Sequence, residues 1–107
     1  MNCDENGNSC KLEDGKPALV TTEWCGASKM AHAELAKNNA DPTSYLKYDF
    51  DKTSSLPEDI KNEVKAFPAV IMCEKGKVPS KGTCKIDYGV GAAVNQITGN
   101  GNNNNTQ

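Results

Sequence analysis

Apolar positions along this chain switch between two periods. Residues 18–23, "ALVTTE", are short, β-branched and preceded by Pro17, which predicts a strand. Residues 26–39, "GASKMAHAELAKNN", follow at once. Ala27, Met30, Ala31 and Leu35 there fall on one face of a helix that Asn38, Asn39 and the Asp41-Pro42 pair terminate. Residues 44–50 alternate Tyr45, Lys47 and Asp49 against Leu46, Tyr48 and Phe50, a second strand with one side to bury. A second helix is expected from Ser55, whose spacing to Glu58 is that of a capping box, with Leu56, Ile60, Val64 and Phe67 sharing a face. Residues 68–73, "PAVIMC", are continuously apolar, as in a strand covered on both sides. A loop with two glycines and a proline separates them from residues 83–88, which read as the returning strand of a hairpin. Residues 89–97 begin with glycines and suggest a short last helix.

The order β-α-β-α-β-β-α predicts an α/β chain. The first strand, helix and second strand form a parallel crossover unit, and the last two strands an antiparallel hairpin. Together they make a four-stranded mixed sheet with helices on both faces. The expected domain is residues 17–98. Residues 1–16 read as a polar arm and residues 99–107 as a disordered, asparagine-rich tail, too polar to offset their ordering entropy.

Composition narrows the function. The 107 residues carry a formal charge of −2 with acids and bases interspersed, so no basic stripe points to nucleic acid and no cationic face to an anionic membrane. The first seventeen residues hold no apolar run of the kind a signal peptide needs, and residues 69–73 are too few to span a bilayer. A soluble, cytoplasmic protein is the expectation.

Five cysteines are many for such a chain, and five is odd. Pairing Cys3 with Cys10 and Cys73 with Cys84 leaves Cys25 over. In a reducing compartment all five would instead be thiols. For Cys73 and Cys84 a pair facing across the hairpin and two buried thiols both stay open. The spacings are unusual for zinc, so no metal is expected. Cys25 stands at the strand-to-helix junction, where unpaired N–H groups, the helix dipole and Lys29 one turn on would favour its thiolate. Trp24 beside it offers an apolar surface to a substrate chain. The plainer reading is a small residue in a junction beside an ordinary half-buried tryptophan.

"EWCGASK" (23–29) resembles the Trp-Cys-Gly-Pro-Cys-Lys signature of the thioredoxin superfamily. "AFPAV" (66–70) is similar to that family's cis-proline loop, and "VGA" (90–92) to the segment closing its substrate groove. The resemblance spans residues 17–98 and implies a thioredoxin-like fold. It further implies that Trp24, Cys25, Gly26, Ala27, Phe67, Pro68 and Gly91 line a groove for an extended segment, with Pro68 cis and the Phe67 backbone pairing with that segment. This chain departs from the pattern at four positions. Ser28 replaces the resolving cysteine, Ala27 the proline before it, Leu19 a buried aspartate and Ala33 a helix proline. The start of the domain also lacks a clear extra strand and helix, as in the smaller glutaredoxin-like form.

A serine hydroxyl cannot attack a mixed disulfide. Ser28 can donate a hydrogen bond to the Cys25 thiolate or help cap the helix, and release must then come from an external thiol. The expected function is monothiol thiol–disulfide exchange, deglutathionylation or disulfide isomerisation, with Cys25 as nucleophile and Ser28 assisting. Glutathione would be a co-substrate with no bound cofactor, and the partners would be protein disulfides or glutathionylated thiols. One alternative keeps the fold without turnover and uses the groove or Cys25 to hold a protein partner. Another makes Ser28 a cysteine-to-serine trap in a dithiol enzyme. His32 is expected on the exposed flank of the first helix. Asp49 and Asp51 are expected at a solvated strand end, a metal pair being the other reading.

Overall fold

Four consecutive apolar or β-branched residues, each buried, make the first strand the centre of the sheet. The computed structural model describes residue 12, residues 16–53 and residues 56–99. Strand β1 (Ala18–Thr21) pairs in parallel with β2 (Leu46–Asp49) and antiparallel with β3 (Ala69–Cys73). Strand β3 pairs antiparallel with β4 (Cys84–Tyr88), giving the order β2-β1-β3-β4. The α/β architecture and the mixed four-stranded sheet are those expected from the alternating periods.

The period of two along β1 divides the core. Ala18 and Val20 face one side, where Leu46, Tyr48, Ala69, Ile71 and Cys73 join Ile60 from α2 (Glu58–Glu63). Leu19 faces the other, against Leu35 of α1 (Gly26–Lys37) and Ala93 and Ile97 of α3 (Val90–Thr98). Helices therefore cover both faces. Leu12, within the polar arm, is itself buried on the α2 side. Among the described residues no helix is long and apolar enough to cross a membrane.

Three local readings change. The buried stripe of α1 is Ser28, Ala31 and Leu35, while Met30 is 59% exposed. Serine takes the inward position because its hydroxyl accepts the buried Thr22 N–H (3.2 Å), so a polar residue occupies a place that apolar periodicity assigns elsewhere. Strand β1 stops at Thr21, and residues 22–25 form the turn into α1. Helix α2 has six residues, with Pro57 at its N-cap, and Val64 is already extended. The Tyr88 hydroxyl explains that early exit. It donates to the Glu63 carbonyl (2.8 Å) and accepts from the Lys65 N–H (3.2 Å), groups a longer helix would pair internally. Val64 stays buried and Phe67 partly so, placed by extended chain rather than by further helical turns. Ser55, the expected cap, lies outside the described residues.

Cys73 and Cys84 are register partners on β3 and β4 and are joined by a disulfide. Cys3 and Cys10 fall outside the described residues, as do most of the arm and the tail. The peptide bond before Pro68 is cis, and the Pro68 carbonyl accepts the Gly89 N–H (2.9 Å). Gly89, at φ +103°, can hold the turn that starts α3 there because it has no side chain to clash.

Ile60 is fully buried and ties the short α2 to the sheet. Ile60→Ala is expected to lower unfolding stability by about 2–5 kcal/mol. Urea titration would read this as an earlier midpoint with an unchanged slope.

Candidate active site

Parallel pairing brings the ends of β1 and β2 to the same edge of the sheet, and β3 starts there too. The register Thr21↔Asp49 places residues 50–51 beside the turn 22–25, and Val20↔Ala69 places Phe67 and Pro68 on its other flank. Cys25 sits between them. Its extended backbone (φ −95°, ψ 120°) makes it the N-cap of α1, and its carbonyl accepts from the Ser28 N–H (3.1 Å) and the Lys29 N–H (3.3 Å).

Cys25 is half-buried and carries a free thiol. As a thiol it donates to the Phe67 carbonyl, with Sγ 3.7 Å from the oxygen. Its pKa is lowered, first by the Ser28 N–H, against an opposing effect of desolvation, and further by the Ala27 N–H and the Ser28 hydroxyl. All the favourable contributions come from the first turn of the helix. The exposed Lys29 is not among them, in contrast to the sequence expectation.

Ser28 is only 1% exposed. Its hydroxyl accepts from the Thr22 N–H and is among the groups that lower the Cys25 pKa. Leu19, where the thioredoxin pattern has an aspartate, is buried among Leu35, Ala93 and Ile97. The position supplies packing and no proton carrier. Ala33 lies exposed on α1.

The walls of the site are aromatic. Trp24 is 68% exposed and meets Phe67 edge-on, with ring centroids 5.7 Å apart. Phe67 meets Phe50 at 5.0 Å, and the Lys61 ammonium lies 5.2 Å from the Phe50 ring. The Trp24 indole N–H donates to Asp51 Oδ2 (2.8 Å). Beside it, Lys52 and Glu23 form an ion pair. Sequence reasoning placed Asp51 at a solvated strand end and missed this contact, which spans 27 residues. The signal that could have found it is the parallel crossover itself, which puts the ends of β1 and β2 side by side. Asp49 accepts the Asp51 N–H (3.1 Å) and so shapes the same turn.

The other sequence candidates divide. The bond from Gly89 to the Pro68 carbonyl brings the first turn of α3, with Gly91, to the Pro68 flank. A Cβ at Gly26 or at Gly91 would meet open space, so neither glycine is required by packing, and both leave the surface clear for an approaching chain. His32 lies on the surface of α1, where partial desolvation and then the Lys47 charge lower its pKa. Among the described residues no group of three or more His, Cys, Asp or Glu is placed to hold a metal ion.

The class defined by these observations is an α/β protein with a free, activated thiol at a helix N-cap, walled by aromatics and a cis-proline turn. No family model, curated protein or solved structure matches the chain.

Ser28→Ala removes one donor to the thiolate and leaves the two backbone donors. The Cys25 pKa should therefore rise part of the way towards the free value of about 8.5. Alkylation below that pH would slow, which a rate–pH profile with an iodoacetamide-type reagent measures. The same change strands the buried Thr22 N–H and should cost about 1–3 kcal/mol of stability.

Proposed function

We propose that this chain is a monothiol, thioredoxin-like thiol–disulfide exchange protein with Cys25 as its nucleophile. The observation that carries the reading is the placement of the Cys25 sulfur. It stands at the mouth of α1, 3.7 Å from the carbonyl of the residue preceding a cis-proline, with its pKa lowered by the helix. The mixed sheet with helices on both faces is compatible with a thioredoxin-like fold.

In the proposed cycle the Cys25 thiolate attacks the glutathione sulfur of a mixed disulfide between a substrate and glutathione. A sulfur–sulfur bond forms to Cys25, and the substrate leaves as thiolate and takes up a proton. Ser28 cannot form a second sulfur bond, so the adduct persists until a glutathione thiolate attacks it. That step releases oxidised glutathione and restores the Cys25 thiolate. In isomerisation Cys25 instead attacks a substrate disulfide and stays bonded to one of its sulfurs while the other leaves as thiolate, until a different substrate thiolate attacks that bond and releases Cys25. Trp24 and Phe67 would receive the apolar part of the partner, and the Phe67 backbone its extended main chain. Glutathione is then a co-substrate, and the protein needs no bound cofactor.

The exposure of Trp24 beside the thiol favours a second reading, in which the groove or a Cys25 disulfide holds a protein partner without turnover. Glutathione-dependent reduction of a small mixed disulfide separates the two. The enzyme reading expects turnover that is lost in Cys25→Ser. Absence of turnover, together with Cys25 alkylation titrating near 8.5, would sink it.

Ser28→Cys should add the missing half of dithiol chemistry. The variant is expected to reduce a protein disulfide in one encounter and to accumulate an internal bridge between Cys25 and the introduced thiol, which free-thiol counting after a single turnover would detect.

A further inference from the structure

We propose that the Cys73–Cys84 disulfide is a second thiol-exchange site, opened at Cys84 by a small anionic thiol of the glutathione class that enters a cleft on the α2 face. The inference stands independently of the chemistry at Cys25. The bridge joins the inner strand β3 to the edge strand β4, and its two cysteines differ in burial. Cys73 is buried, at 7% exposure, within the core cluster of Ile60 and Ile71, whereas Cys84 is half-buried. Cys84 also lines an open cleft of about 230 Å³ with Ile60, Glu63, Lys81, Ile86 and Tyr88.

The cleft suits a small thiol that carries charge. Ile60 and Ile86 give it an apolar side, while Lys81 offers a cation to the carboxylates of a glutathione-class thiol and Glu63 an anion to its ammonium. The Lys81 backbone is seated against α2 through its N–H to Asp59 Oδ2 (2.9 Å), which keeps that residue at the rim. A thiolate entering there meets the Cys84 sulfur first, since Cys73 lies behind it in the core. Attack forms a bond between the incoming sulfur and Cys84 Sγ and breaks the bond to Cys73 Sγ. Cys73 leaves with the electron pair and takes up a proton, to remain as a neutral thiol in apolar surroundings that favour that form. A second molecule of the small thiol, as thiolate, can then attack the adduct. It carries off the first as its disulfide, and the released Cys84 takes up a proton. The net result is a reduced hairpin and one oxidised small-thiol pair. The Thr83 hydroxyl, 4.0 Å from Cys84 Sγ, is placed to hydrogen-bond that released sulfur.

The test uses full-length Cys25→Ala protein, incubated under native conditions with reduced glutathione, quenched with acid and mapped by tandem mass spectrometry. The expected product is a single glutathione adduct on Cys84 with Cys73 as a free thiol. Lys81→Glu should slow its formation by about two- to fivefold, the scale of one exposed charge pair. Lys77→Glu, which makes the same charge change in the same loop but outside the cleft, should leave the rate nearly unchanged. The uncharged thiol 2-mercaptoethanol should respond to neither substitution. Four results would overturn the proposal: two free thiols at these positions in the purified protein, no adduct short of denaturation, an adduct on Cys73, or equal slowing by both charge reversals.

Discussion

The hydrogen bond from the Thr22 N–H to the Ser28 hydroxyl fixes where the central strand ends and how the first helix leaves it. Both residues are buried, so the bond is made away from competing water and would be costly to leave unmade. It holds the turn 22–25 closed and pins the first turn of α1 against the end of β1. Cys25 is left as the N-cap, its backbone committed to the helix and its side chain turned towards Phe67. The two partners of β1 then supply the rest. Strand β2 delivers Phe50 and Asp51 to one side, and the turn into β3 delivers Phe67 and Pro68 to the other. Ser28 is thus the residue that holds the site together.

The thiolate is favoured by dipoles rather than by a neighbouring cation. Fixed N–H groups of the first helical turn need no reorganisation when the proton leaves. The thiol donates a hydrogen bond to the Phe67 carbonyl, whereas the thiolate is favoured by the helix donors. Because short-range hydrogen bonds supply the effect, salt should screen it far less than it would screen an attraction to Lys29.

Much of this was legible from periodicity. The β-branched stretch of 18–23, the alternation of 44–50, the apolar run of 68–73 and the glycines before α3 each correspond to an element of the sheet or its last helix. Hydrophobicity alone misplaced Met30, because it has no means of ranking a serine that satisfies a buried N–H above a methionine that can face water. It also carried α2 one turn too far, since the Tyr88 hydroxyl that takes over the helix end lies 25 residues away in sequence. The contact of Asp51 with Trp24 was hidden for the same reason, although the parallel crossover implied the neighbourhood. Leu12 shows the opposite failure: one apolar side chain in a polar stretch has no period to reveal it, yet the core takes it in.

The topology also decides what can resolve an adduct on Cys25. Strand β3 leaves the site at Ala69 and reaches the disulfide at Cys73, four residue steps or roughly 13 Å further on. Its partner Cys84 is directly opposite on β4, at the same far end of the hairpin. No rotamer change brings either sulfur back to Cys25, because both are anchored in paired strands. The side of the sheet reinforces this separation, since the bridge packs with Ile60 on the α2 face while Cys25 opens the helix that covers the other. Neither Cys73 nor Cys84 can therefore complete the exchange proposed for Cys25, which in that cycle falls to an incoming thiol. Under that proposal the incoming thiol is the selective element, and the aromatic walls of Trp24 and Phe67 would be the surface on which it is chosen.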